Sequence, residues 1–281
     1  MSVHLIVDGT CDISSEERER LGLECVPLRV FFGDDEYVEG RNMTAQQFYA
    51  MLAASPQLPK TAQITPAEFE NVFRPFVDAG DEIVVLPISR ELSGTYNSAS
   101  IASHAFPDAS IYVIDTLNVT FAQALLIYEA AAMRDRGLNG AEIAERLRTL
   151  VPKARLLAVI DDLKYLKLGG RLSAAGAVAG TLLGIKPIVT IEGGKVVNIH
   201  KVRGQRAAYE YIAECASQEM RRDSAVHFAH SNDRQKMQEL IAVVSERITS
   251  FQPEKIRQFD IGPVVGTYAG PGCTGIAYFQ Q

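Results

Sequence analysis

Only four of the 281 residues are cysteine (Cys11, Cys25, Cys215 and Cys273), and no two stand at the C-x-x-C spacing of a metal or redox pair. The scatter fits a reducing compartment, so the cytoplasm is the expected location. No lysine- or arginine-rich tract is interleaved with aromatics, which removes the usual footprint of a nucleic-acid binder. No apolar run approaches the roughly 18 residues of a membrane span. The opening Met1-Ser2-Val3-His4-Leu5-Ile6-Val7-Asp8 has no basic segment before its short apolar stretch, so it reads as a strand and not a secretory signal.

The common catalytic and nucleotide-binding signatures are missing as well. No G-x-G-x-x-G follows the first strand, and there is no Walker glycine–lysine loop, no G-x-S-x-G and no H-E-x-x-H. His227 and His230 stand three apart in an expected strand and should point to opposite faces, which argues for packed or solvated rings over a metal pair. Asp161-Asp162 falls where a helix should start, and helix capping accounts for it more simply than acid–base catalysis. No cofactor or metal is expected.

What remains is a well-filled globular composition, 47% apolar and 22% charged, with a net charge of −6. That length suffices for two lobes. Short β-branched runs at 3–7, 82–87 and 111–115 alternate with helical stretches. The helices are announced by Ser14 with Glu17, Thr44 with Gln47, and Thr65-Pro66-Ala67-Glu68, all at capping-box spacing. The alternation predicts a parallel α/β sheet domain over 1–154. Residues 25–32 and 36–39 around Gly33-Asp34-Asp35 predict a β-hairpin, hence a small β-rich insert over about 24–60. Helices are expected at 125–136 and 141–150.

An α+β domain is expected over 155–281. It should hold a hairpin at 187–191 and 195–201 turning on Gly193-Gly194, helices at 205–220 and 233–248, and strands at 225–229, 256–259 and 276–279. The glycine- and proline-rich run from Ile261 to Gly272 reads as a loop of fixed shape.

Three polar clusters stand out. Thr61, in Lys60-Thr61-Ala62-Gln63, lies in the loop before a capped helix; it makes either a local turn bond or a ligand contact. Ser93-Gly94 follows a strand and opens a helix. It is either an ordinary cap or a place where an anion approaches free N–H groups at the positive end of the helix. Gly176, Gly180 and Gly184 share a helical face after Leu168-Gly169-Gly170-Arg171-Leu172-Ser173, a face open either to another helix or to a slender apolar ligand.

Together these segments resemble the DegV family. Asp8-Gly9-Thr10-Cys11-Asp12 is similar to its D-S-T-x-D, Thr61-Ala62-Gln63 to T-S-Q-P, and Leu92 through Ala99 to L-S-G-T-Y-Q-S-A. Tyr165 through Ser173 is similar to Y-L-K-K-G-G-R-I-S, and Ile185-Lys186-Pro187-Ile188 and Gly262-Pro263-Val264-Val265-Gly266 also fit. The resemblance implies a two-lobed fold with a long-chain fatty acid between the lobes. It also implies a non-catalytic carrier that presents the carboxylate to a separate ATP-dependent fatty-acid kinase, whose acyl phosphate feeds phospholipid synthesis.

On that resemblance Thr61, Ser93 and Gly94 would hold the carboxylate. Arg203, Tyr268 and Arg171 would lie near the head group or the incoming phosphate, and transient contact with a membrane surface is open. The sequence departs from the pattern at Gly9 and Ala62, where serine is usual, and at Tyr268, where the family has histidine. Two other readings compete: a serine-dependent acyl hydrolase or transferase using Ser93, and a sensor or interaction protein with a structural lipid.

Overall fold

A computed structural model describes residues 2–173, 184–248 and 255–281. Gly176 and Gly180 lie outside the described residues.

The first sheet has four parallel strands in the order β2 (Leu23–Val26), β1 (Val3–Asp8), β6 (Glu82–Leu86), β7 (Ile111–Val113). Leu5, Ile6 and Val7 are fully buried, as expected of a central strand covered on both faces. Its connections include α1 (Ser15–Arg20), α3 (Pro66–Asp78), α4 (Thr95–Ser103) and α5 (Thr120–Asp135), followed by α6 (Gly140–Leu150). Ser14 caps α1, and complete capping boxes start α3 and, on the insert, α2 (Ala45–Ala54). The helix expected at 125–136 begins five residues earlier. Val119 supplies no side-chain cap. Gln123 ties the first turn instead, donating to the Leu86 carbonyl and accepting from Thr10 Oγ1, both at 3.0 Å.

The insert is a three-stranded antiparallel sheet, β4 (Asp35–Val38), β3 (Arg29–Phe32), β5 (Lys60–Ala62). This corrects two expectations. The run 25–32 is not one hairpin arm: Pro27, lacking an N–H, separates β2 in the parallel sheet from β3 in the insert. Thr61 sits on a strand paired with Val30, not in a loop.

The second sheet is mixed, in the order β10 (Lys195–Arg203), β9 (Ile185–Glu192), β8 (Ala154–Val159), β13 (Thr274–Phe279), β11 (Val226–His230), β12 (Ile256–Asp260). The β9–β10 turn has Gly193 at φ 55° and Gly194 at φ 82°, the left-handed pair a primed two-residue turn demands. Helices α8 (Gln205–Glu219) and α9 (Arg234–Arg247) pack on one face. On the other face lies a core shared with α5 and the first sheet.

The C-terminal run is not a loop throughout. Pro263–Ala269 forms α10, with proline in its first turn. Gly266 inside it leaves room for Tyr49, whose hydroxyl would lie 2.6 Å from any Cβ there. The short helix α7 (Lys164–Leu168) follows the aspartate pair. Asp162 accepts from the Lys164 N–H, as a cap would, whereas Asp161 bridges Lys186 and Lys236 at 2.6 Å each. Among the described residues no helix is long and apolar enough to cross a membrane.

Candidate functional site

Between the two sheets lies a narrow cavity with about 800 Å³ of atom-free space, part of it open to solvent. Strand alternation puts Leu156, Ala158 and Ile160 of the β8 segment, with Val189 and Ile191 of β9, on the cavity side of the second sheet. The start of α5 contributes Phe121, and α10 contributes Val264, Val265, Tyr268 and Ala269. The lining is overwhelmingly apolar.

Against this background Thr61, Ser93, Arg171 and Tyr268 come together. Thr61 Oγ1 and Tyr268 Oη share a hydrogen bond of 2.6 Å across 207 residues of sequence. The Arg171 guanidinium lies over the Tyr268 ring, 4.7 Å from its centroid. It donates to the carbonyls of Leu92 (3.2 Å) and Gly169 (2.7 Å), which fixes it beside the Ser93 segment. Gly169 gives the tyrosine its place, since a Cβ there would meet ring carbon Cδ1 at 2.4 Å. Ser93 Oγ pairs with Thr95 Oγ1 at 3.0 Å and accepts from the Thr95 N–H at 3.3 Å. Each hydroxyl here keeps spare hydrogen-bonding capacity.

Gly94 is close-packed for a reason the sequence does not reveal. A Cβ there would fall 1.9 Å from Gln63 Oε1, and Gln63 in turn donates to Ser98 Oγ at 3.2 Å. The glycine thus makes room for a side chain of the Thr61 segment. Arg203 is placed differently: it ends β10, is exposed, and is not among the cavity-lining residues.

A buried polar network backs the site. Asp8 is fully buried at the end of β1, where its Oδ1 accepts from Thr10 and its Oδ2 accepts from the Ile88 N–H at 2.7 Å. Burial raises its carboxyl above the usual range, opposed by these bonds. It anchors the turn leading to Ser93. Cys273 also lines the cavity, its thiol pushed up to about 12 by burial, so it is a neutral wall group and not a nucleophile. The two histidines are separate. His227 is buried against the Phe121 carbonyl (2.8 Å), while His230 pairs with Asp260 at 2.7 Å. Among the described residues no cluster of three or more His, Cys, Asp or Glu side chains could hold a metal ion.

The cavity's apolar lining has no direct signature in the sequence, because such residues look like any core residue until the two sheets are seen to leave space between them. The proline of Pro263 was the one available sign that α10, which supplies much of a wall, is helical.

The α/β scaffold encloses an apolar cavity with hydroxyls and a guanidinium gathered in one place, the general form of a small-molecule pocket. The chain belongs to the DegV family, described as uncharacterised proteins, whose profile matches residues 2–281. A DegV domain-containing protein of Deinococcus radiodurans is 32% identical over 99% of this chain and 98% of its own. A fatty-acid-binding DegV-family structure from Thermus thermophilus superposes with a TM-score of 0.91 at 26% identity, with full coverage of both chains. A stearic-acid-binding protein from Eubacterium ventriosum is similar at a TM-score of 0.87 and 28% identity, covering 100% of this chain and 98% of its own.

Proposed function

We propose that this chain is a non-catalytic carrier of a long-chain fatty acid. The acyl chain occupies the cavity, and Thr61 and Ser93 hydrogen-bond the carboxylate beside Tyr268 and Arg171. The single observation that carries the reading is the convergence of those four side chains in an otherwise apolar cavity. The fatty-acid-binding structures to which the chain is similar support it. Burial of each methylene contributes about 0.8 kcal/mol, so the chain of a long acid supplies the affinity and the polar groups need only keep the charge solvated.

In this reading the carrier presents the carboxylate to a separate ATP-dependent kinase. A carboxylate oxygen attacks the γ-phosphorus, ADP departs, and the acyl phosphate enters phospholipid synthesis. In this reading Arg203, exposed at the end of β10, meets the partner from outside. The hydrolase alternative requires a base for Ser93. Its hydroxyl is bonded to Thr95, and no histidine is among the cavity-lining residues.

The test is denaturing extraction and mass spectrometry of protein purified from a bacterial host, followed by uptake of palmitate and oleate. A near-stoichiometric fatty acid, bound several-fold more weakly by Thr61→Val and Ser93→Ala, is the expected result. Protein that arrives empty and takes up neither acid ends the carrier reading. Turnover of a chromogenic acyl ester that disappears in Ser93→Ala would replace it with the hydrolase.

A further inference from the structure

A pair of carboxyl groups lies just outside the cavity. Asp12, with its backbone in the left-handed region at φ 55°, accepts from the Gly262 N–H at 2.9 Å through Oδ1 and from Thr120 Oγ1 through Oδ2. Thr120 is itself left-handed at φ 53°. A non-glycine residue in this region persists only where its surroundings hold it. One carboxyl therefore ties together the loop after β1, the start of α5 and the start of α10. The neighbours of these three attachment points, Thr10, Phe121, Ile261 and Val264, line the acyl cavity.

Glu39, the residue after the insert's β4, is wedged against the same point. A Cβ on Gly262 would lie 1.8 Å from Glu39 Oε1 and 2.9 Å from Asp12 Oδ1, and a Cβ on Gly9 would lie 3.1 Å from Glu39 Oε2. Two glycines thus make the space in which the second carboxyl faces the first. Glu39 Oε2 is buried without a hydrogen-bond partner.

The titratable groups around the pair are mostly acidic: Asp8 on β1, Cys25 on β2, Tyr49 on α2, and Asp260 on β12, the last paired with His230. Arg18 of α1 is the cation acting on Glu39, and its guanidinium also donates to Cys25 Sγ at 2.8 Å. Gly9, Asp12, Glu39 and Gly262 line an open polar cleft with about 1590 Å³ of atom-free space that also holds Glu17, Arg41 and Arg257, which gives solvent a route to them.

We propose that Asp12 and Glu39 form a proton-held latch on the wall of the acyl cavity. One proton between the carboxyl groups keeps the α10 wall closed, and its loss loosens that wall and speeds lipid release. The release half of this proposal rests on the carrier reading; the latch itself does not. Two ionised carboxylates crowded around the same glycine repel, and the relief available is movement of Glu39 or of the Gly262 segment. Burial, aided by Asp8 and Asp260 and opposed by the Thr120 and Gly262 bonds, pushes Asp12 up from 3.8 to about 7, while burial and then Asp12 raise Glu39 well above the carboxylate range. A raised folded-state value means the native state binds the proton more tightly. The latch is therefore full in acid and weakens as pH rises through about 7.

Two measurements test it. In lipid-free protein the Gly262 amide resonance, followed from pH 5.5 to 8.5, should show a titration that is absent in Asp12→Asn. Release of a fluorescent fatty acid should accelerate about threefold or more from pH 6 to 8 in the wild type and stay flat in Asp12→Asn. Glu39→Gln, which cannot supply the second charge, should also flatten the release profile, and it serves alone if Asp12→Asn does not fold. A Gly262 amide that does not respond to pH overturns the latch. A release profile equally steep in wild type and variants overturns the gate. Protein that binds no acyl probe at any pH refutes the carrier reading, and the Gly262 titration then decides the latch by itself.

Discussion

Tyr268 stands where the resemblance to the family leads one to expect histidine. Its hydroxyl is held by Thr61 at 2.6 Å and its ring by the Arg171 guanidinium, so its hydroxyl faces the polar cluster of the cavity. A histidine in its place would bring an imidazole, whose ordinary titration range lies near neutrality. Tyr268→His should therefore leave lipid affinity within a few-fold while changing phosphotransfer by a cognate kinase and giving it a pH dependence near 6–7. Acyl-phosphate formation trapped as hydroxamate reads this, and an unchanged rate and pH profile would sink the assignment. Gly94 yields a second prediction at the same scale. Gly94→Ala places a methyl group where Gln63 sits, and should cost about 1 kcal/mol of stability as Gln63 leaves Ser98. Adding Gln63→Ala should recover part of that loss in urea unfolding. A double variant less stable than the single by the full cost of Gln63→Ala alone would show the two sites to be independent.

Among the elements, α3 is the one whose charge network can be read directly as stability. Glu68 closes its capping box on Thr65 and also receives the Arg29 guanidinium from β3, so one carboxylate fixes the helix start and binds it to the insert. Burial alone would raise Glu68, but the bonds from Arg29 and Thr65 outweigh it and bring the group down from 4.5 to about 2. A depressed folded value contributes stability that is present above 4.5 and is lost as pH falls toward 2. Because both partners are partly exposed, about 1 kcal/mol is a fair scale for the pair. Glu68→Gln should be less stable than the wild type at pH 6 by roughly that amount and converge on it near pH 2.5. A gap independent of pH would refute the network. This element was legible in the sequence because capping is local: Thr65, Pro66 and Glu68 lie within one turn. The same holds for the Gly193-Gly194 hairpin. The start of α5 was not legible, because its anchor is Gln123 bonding the Leu86 carbonyl of a neighbouring strand and not a cap in its own segment. The split of 25–32 at Pro27 was legible in principle, but which side joins which sheet depends on strand partners far along the chain.

For the whole molecule, the decisive feature is that the wall between the two sheets is shared. The site motifs could be seen in the sequence one by one, but the Thr61–Tyr268 contact joins the insert to the C-terminal helix, and only the folded chain brings them together. His227 makes a comparable join. It lies on β11 of the second sheet, fully buried, and its Nδ1 meets the Phe121 carbonyl at the start of α5, whose side chain lines the cavity. A carbonyl can only accept, so Nδ1 carries the proton and Nε2 is left buried without a partner. A second proton would find no acceptor. Burial therefore lowers the imidazole from 6.5 to about 3, with the Phe121 bond opposing and Arg257 adding to the drop. For a base with a depressed folded value, stability is complete above 6.5 and declines as pH falls through that value, because only the unfolded chain takes up the proton. The loss amounts to about 2 kcal/mol by pH 5. His227→Gln retains a donor for Phe121 but cannot be protonated. It should be less stable than the wild type at pH 7.5, and the gap should shrink by about that amount at pH 5, measured by urea unfolding at both values. Because the Asp12–Glu39 pair works in the opposite direction over the same range, the comparison must be the difference between wild type and variant, in which the carboxyl contribution cancels. A constant difference would mean that His227 titrates in the native state and that the join between the second sheet and the cavity wall admits solvent.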